Sequence, residues 1–480
     1  MSARGTARFP GYLLEVLWNR LLAIAEEQAQ VIMRTAFSTI VRESGDLSAA
    51  IFDRRARMVA QARTGTPGHI NTMARGMRHF LADFPADSLR PGDVLIGNDP
   101  YRLSGQPNDI SLVTPVFHRG RAVAFFASCC HMMDIGGMGL SADGREMYEE
   151  GLFIPFAKLF VEGRENRDVV RFITSNVRTP REVMGDLHAQ SAAGDVGAAR
   201  LQEMLEEFDL ADIEGLSDEI VDRSEAAVRE AVRAFPEGRF EFACQHDGFE
   251  APLPIRVAVY RDGDSIIADY AGSAGQVGRG INVPLGYTIA YSTYAIKCVL
   301  APDVPNNEGC FIPIVITAPE GSILNPVAPA PTAARHIIGH FLPSVILAAL
   351  EQALPGRVLA DSAAGLWVTP VSGRLPGGEP FTFTFFACGG MGARPDKDGL
   401  SATSFPSGIQ VVSTEVIESV SPMVFRQREL RVDSGGAGAH RGGAWARSCS
   451  GVQRERCEVT TGCCGAWPCA VARSNTVRVR

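Results

Sequence analysis

Two short stretches hold most of the side chains able to do chemistry: NDPYRLSGQPNDI, from Asn98 to Ile110, and CCHMMDIGG, from Cys129 to Gly137. Much of the first is turn chemistry, because Asn, Asp, Pro and Gly tolerate unusual backbone angles or pre-set them. Asp109 and His131 stand out by register. If ISLVTPVF and RAVAFFASCC pair across a short loop over Arg119 to Arg121, Asp109 and His131 face each other at the open end of the hairpin. Their Cβ atoms then stand about 5 Å apart. A carboxylate and an imidazole at that spacing can share one metal ion. Gln106 can swing in from the preceding loop as a weaker oxygen donor, and Asp46, at the start of an earlier strand, can be a fourth ligand. His69, after TPG, is a candidate outer donor and equally a surface histidine. Cys129 shares the strand face of His131 and reads as a core cysteine. Pro115 inside the first strand implies an edge or a bulge, and one bulge would alter the register.

The elements that must position these residues follow from hydrophobic periodicity. Apolar positions at helical spacing from Leu13 to about Phe37 open the fold with a long amphipathic helix. DLSAAIFD and RRARMVAQ read as strands, HINTMARGMRHFLADF as a helix, and LRPGDVLIGNDP as a buried strand closed by a turn. Glu182 to about Phe235 is helical with one break. Gly238 to Ile316 reads as strands, with a hairpin around Asp262-Gly263. ARHIIGHFLPSVILAALEQAL reads as one helix, and Gly389 to Gly443 as loop and strand. The expected class is mixed α/β of the α+β kind. Residues 1–240 form the part bearing the metal site, 241–443 a β-rich second part, and 444–480 an atypical tail.

Composition narrows the function. The chain has 480 residues, 46% hydrophobic and 21% charged, as in an ordinary globular protein. A net charge of -8 argues against a nucleic-acid footprint. No apolar run reaches membrane-spanning length, and a cytoplasmic enzyme subunit is the expectation. There is no GxxxxGK[ST] phosphate loop, so any ATP must sit on another chain. GxSxG and HExxH are also missing, and the glycines of CGGMGAR and DSGGAGAHRGG read as turns. Five of the eleven cysteines (Cys449, Cys457, Cys463, Cys464, Cys469) crowd the C-terminal end without metal-binding spacing. Arginine outnumbers lysine 43 to 3, which points to a GC-rich gene. An Arg- and Cys-rich tail is what a shifted reading frame of such a gene yields, and proteolysis is expected first near residues 444–450.

MRTAFSTIVRESGDLSAAIFD, RPGDVLIGNDPYR, NDISLVTPVF, HMMDIGGM, EGLFIPFAKLF, SNVRTPREVMGDLHAQ, PNNEGCFIPI and ELRVDSGGAGAHRGG resemble, in that order, the hydantoinase B / 5-oxoprolinase family. That family extends to subunits of ketone carboxylases and of an ATP-dependent lactamase. The resemblance runs from about residue 13 to residue 443. It implies a hydantoinase A-type partner that holds ATP-Mg and phosphorylates the substrate. It also implies a metal site. The family's first aspartate falls on Asp46, the aspartate of its T-H-x-x-D motif on Asp109, and its later histidine on His131. The motif histidine falls on Gln106, and Met132 stands where a second histidine is common. An amide oxygen is a poorer donor than imidazole for zinc-like ions, so the metal expected is a divalent ion of the Zn, Mn or Fe class. The implied function is the B-type subunit of an ATP-dependent cyclic-amide hydrolase acting on hydantoin, oxoproline or lactam rings. A ketone carboxylase subunit and a non-catalytic scaffold are the alternatives.

Overall fold

The computed structural model describes residues 9–63, 65–375, 377–452, 458–461 and 475–478, with only the backbone given from residue 449 onward. Helix α1 (Gly11–Thr35) turns Leu14, Leu17, Leu21, Ile24 and Ile32 inward, as the spacing predicts. After the short α2 (Thr39–Arg42) come β1 (Leu47–Asp53), β2 (Met58–Gln61), α3 (Pro67–Asp83) and β3 (Val94–Gly97). Strands β4 (Asp109–His118), β5 (Arg121–His131), β6 (Ala157–Val161) and β7 (Arg164–Glu165) complete a seven-stranded antiparallel sheet of order β2-β1-β5-β4-β3-β6-β7.

Both faces of this sheet are covered, which is why β1 is buried at every position. Alternation sorts its side chains between the two layers. Ile51 and Phe126 pack against α1 and against α5 (Pro180–Glu207). Ala50, Phe52, Phe125 and Ala127 pack against Ile70, Met73, Met77 and Phe80 of α3. Each such large apolar side chain contributes about 1.5–3 kcal/mol by leaving water. The sheet is therefore a stiff platform, and its β4–β5 end carries the candidate site.

The middle is helical, with α4 (Arg167–Asn176), α5 and α6 (Glu214–Arg233). Strands β8 (Arg239–His246), β9 (Leu253–Asp262) and β10 (Ser265–Asp269) follow, and β9 and β10 form the expected hairpin. The next segment departs from expectation. Leu285–Leu300 is a helix, α7, although its Tyr, Thr and Ile content reads as strand. It is buried along most of its length, so tertiary packing overrides propensity. After α8 (Glu308–Phe311) and β11 (Ile314–Thr317), the stretch expected as one helix is two, α9 (His336–Gly339) and α10 (Leu342–Ala353). Pro343 explains the break: it has no N–H to donate, and its ring would clash with the Gly339 carbonyl of a continuous helix.

Strands β12 (Leu366–Arg374) and β13 (Pro380–Cys388), α11 (Thr414–Val420), and strands β14 (Met423–Leu430), β15 (Ala446–Val452), β16 (Glu458–Thr461) and β17 (Asn475–Arg478) complete the chain. Helix α11 departs from the loop and strand expected of that glycine-rich stretch. Past residue 443 the backbone returns to paired strands. Strand β15 lies antiparallel on β14, and β16 lies on β12. Early cleavage at 444–450 is no longer expected, because most of that segment is a paired strand. The five C-terminal cysteines lie in the part whose side chains are outside the described residues. One hydrophobic cluster extends from Ala29 to Ile409, so the two expected parts share a core.

Candidate metal centre

The hairpin places its ends as the register argument requires: Asp109 opens β4 and pairs with His131 at the end of β5. The loop is one residue shorter than expected. His118 pairs with Arg121 across Arg119 and Gly120, both at positive φ, as a tight hairpin turn demands. A bulge compensates. Phe117 pairs with Ala122 and Val116 with Ala124, leaving Val123 as the extra residue. The bulge therefore brings Asp109 opposite His131 rather than spoiling the pairing. Pro115 lies past the Ser111–Val113 segment that β3 covers. The ladder continues one step beyond the strands, where Met132 N donates to Asn108 O at 2.7 Å. Asn98 pins the intervening loop by donating to Pro107 O at 2.7 Å.

Asp109 is the hub, with no solvent exposure. Its Oδ1 accepts from Gln106 Nε2 at 2.7 Å and lies 2.8 Å from His131 Nδ1. Its Oδ2 lies 2.9 Å from His69 Nε2 and 2.7 Å from Arg335 Nη2. Gln106 Nε2 is also 2.8 Å from His131 Nδ1. His69 comes from the first turn of α3, which starts at Pro67. Asp46 precedes β1 and is fixed because its carbonyl accepts from His131 N at 3.1 Å. The Asp46 carboxylate is 3.8 Å from His69 Nδ1. Asp46, His69, Gln106 and His131 line one cavity of about 40 Å³, with Asp109 beneath them. All five residues expected from the sequence thus meet in one place.

The triangle of Gln106 Nε2, Asp109 Oδ1 and His131 Nδ1 is not satisfied by protons while Asp109 is ionised. If His131 Nδ1 carries a proton, it faces the amide nitrogen donor to donor. If it does not, it faces the carboxylate acceptor to acceptor, and the proton on Asp109 that would bridge them is opposed by His69 and Arg335. A cation facing the three groups, with the amide reversed so that its oxygen turns inward, removes the conflict. Which way an amide points is an assignment made from its surroundings. Gln106 Oε1 and His69 Nδ1 are buried with no hydrogen-bond partner among the described residues. Neighbouring ligands with metal bonds of about 2.0–2.2 Å stand about 3 Å apart, close to these separations. The spacing of these three groups therefore suits a divalent ion, while the Asp46 carboxylate does not come within 4.8 Å of both Asp109 and His131. The ligand atoms of His69, Asp109 and Cys129 also lie within 4.8 Å of one another. Burial and the Asp109 charge push the Cys129 thiol well up.

Burial favours the neutral form of Asp109, but His69 and Arg335 outweigh it and hold its carboxyl well below the usual range. Burial opposes charge on His69 as well, yet Asp109 raises its pKa overall. Burial, followed by His336 and Arg335, holds His340 well below an ordinary histidine and so neutral. Asp134, in the same motif as His131, is structural: it accepts from Gly136 N and from Arg178 Nη1.

Sequence reasoning missed the far wall. Arg335 reaches Asp109, donates through Nε to Ser104 O at 2.6 Å, and lies 4.1 Å over the Tyr287 ring. His336 and His340 line the same cavity. An arginine and two histidines at the head of an otherwise apolar helical stretch, ARHIIGH, were the available signal. Gly105 makes the approach feasible. It has φ +91°, and a Cβ there would stand 2.7 Å from Arg335 Cδ.

An antiparallel platform with a carboxylate–imidazole hairpin end, closed by helices from the second part, defines a hydantoinase B-like architecture. The chain belongs to the hydantoinase B/oxoprolinase family, whose model matches residues 11–463 and so extends past Gly443. The B component of a putative D-/L-hydantoinase from Pseudomonas sp. (strain NS671) is 30% identical over 452 residues, covering 90% of this chain and 76% of the relative. The crystal structure of the ATP-dependent caprolactamase from Pseudomonas jessenii superposes with a TM-score of 0.87 at 26% identity. That match covers 95% of this chain and 80% of the other. A nucleotide-free acetone carboxylase structure shares the fold, with a TM-score of 0.84 at 20% identity over 94% of this chain and 63% of the other. No helix among the described residues is long and apolar enough to cross a membrane.

Proposed function

We propose that this chain is the B-type subunit of an ATP-dependent cyclic-amide hydrolase. Asp46, Gln106, Asp109 and His131 hold its divalent ion, and a hydantoinase A-type partner holds ATP-Mg and phosphorylates the ring amide. The observation that carries the reading is the Gln106–Asp109–His131 triangle, whose close spacing a cation satisfies and, with Asp109 ionised, protons do not. Two carboxylates, an amide and one imidazole make an oxygen-rich set, which favours manganese or iron over zinc.

A divalent ion held by Asp46, Gln106, Asp109 and His131 would supply Lewis acidity, lowering the pKa of a bound water. The chain's own residues do the rest. Asp109 stays anionic under the combined hold of His69 and Arg335. His69 Nε2 is engaged by Asp109, which leaves Nδ1, 3.8 Å from the Asp46 carboxylate, as the atom that would donate a proton to the leaving ring nitrogen. The cavity has room for an ion and a water, and buried Tyr287 beneath Arg335 limits access from that side.

A scaffold reading is favoured by one observation. Arg335 already neutralises Asp109, and Gln106 presents its nitrogen to the pair. The test is ADP release by the chain with its A-type partner. Release that depends on a hydantoin, oxoproline or lactam, without bicarbonate, supports the hydrolase. Dependence on bicarbonate and a ketone supports a carboxylase instead, and no turnover with a competent partner leaves the scaffold.

A further inference from the structure

Glu150 is 1% exposed, yet it lies outside the cluster around Asp109. Its carboxylate accepts from two successive backbone amides in the second part of the chain. Thr332 N is 2.8 and 2.9 Å from its two oxygens, and Ala333 N is 2.8 Å from Oε1. These amides form the turn that leads into Arg335, whose own N–H donates back to Thr332 O at 2.9 Å. The turn is held from other sides too. Asn282 Nδ2 donates to Pro331 O at 2.9 Å, and Ala334 N donates to Gly280 O at 2.7 Å. A Cβ at Gly280 would lie only 3.0 Å from Glu150 Oε1, so the carboxylate is closely enclosed.

Without that carboxylate, two buried amides would lose their acceptor, and the turn would have to rearrange to find another. Arg335 has little slack to absorb such a shift toward Gly105, because even a Cβ there would lie 2.7 Å from its Cδ. We propose that Glu150 is a positioning residue for Arg335: its grip on the Thr332 and Ala333 amides keeps the guanidinium on Asp109 Oδ2 and so limits the negative charge the site offers a divalent ion. The placement of Arg335 stands apart from the metal reading, and only the consequence for ion affinity rests on it.

The test uses the full chain, Glu150→Ala and Glu150→Gln, with hydrogen exchange and phenylglyoxal labelling of arginines read by peptide mass spectrometry. In the parent, buried Arg335 resists labelling. In Glu150→Ala, loss of two buried hydrogen bonds is expected to speed exchange of the peptide spanning 329–339 by roughly tenfold or more. Arg335 becomes labelled while α1 keeps its protection. Gln keeps one acceptor oxygen, so Glu150→Gln lies between the two. If Glu150→Ala does not fold, the Gln variant alone carries the comparison. An unlabelled Arg335 with unchanged exchange, or faster exchange everywhere in the chain, overturns the proposal.

A second readout is Mn2+ binding. Glu150→Ala and Arg335→Ala should each tighten it by a similar factor, roughly fivefold. A residue that acts through Arg335 adds nothing to Arg335→Ala, so the double variant should match the single. Additive effects overturn the proposal. Absence of Mn2+ binding in every protein defeats the metal reading instead, while the labelling result still decides the role of Glu150.

Discussion

Asp109 shows how far one residue can be read from sequence and where that stops. Its pairing with His131 follows from strand length and a tight turn, both local. Its contact with Arg335 joins positions far apart in the chain, and no pattern in one sequence encodes it. Gln106 was legible as a donor, but its conflict with both neighbours needed coordinates. Glu150 carries a prediction of its own. Burial pushes its pKa from 4.5 up to about 7, against the opposing pull of the Ala333 and Thr332 amides. Between those values the folded chain binds more protons than the unfolded one, so this group's contribution to stability is full below pH 4.5 and declines as pH rises through about 7. Urea unfolding of the parent and Glu150→Gln across that range should show the parent losing ground as pH rises. A constant difference would contradict it.

Turns and bulges decide where the elements deliver their side chains. The first five strands of the first sheet were legible because most of their positions are apolar, whereas β6, buried at only one of its five positions, and the exposed Arg-Glu of β7 were not. Helix α7 was not, because its β-branched and aromatic residues are selected for burial. Two glycines separate backbone demand from close packing. Gly120 has φ +80° and open space for 4 Å around the point where a Cβ would sit, whereas Gly105 has φ +91° with Arg335 against it. Gly120→Ala should therefore cost about 1–2 kcal/mol of stability from left-handed strain and leave the site intact. Gly105→Ala should cost more and also free Arg335 for labelling. Denaturant titration together with arginine labelling checks both, and equal behaviour of the two variants would contradict the packing argument.

The whole chain presents a stiff sheet with its site at the junction of two parts that share one core. It carries no phosphate-cradling loop, so calorimetry of the isolated chain with Mg-ATP should give no heat of binding until an A-type partner is added. Micromolar binding by the chain alone would contradict the division of labour. The metal reading meets its sharpest test in ion content after dialysis for the parent, Gln106→His and His131→Ala. The parent should retain manganese or iron, and Gln106→His should shift retention toward zinc, because imidazole is the better donor for that ion. His131→Ala should retain none, since it removes the only imidazole in the proposed ligand set. Equal retention by all three proteins, or retention by none, would reduce Asp109 and His131 to the end of a hairpin.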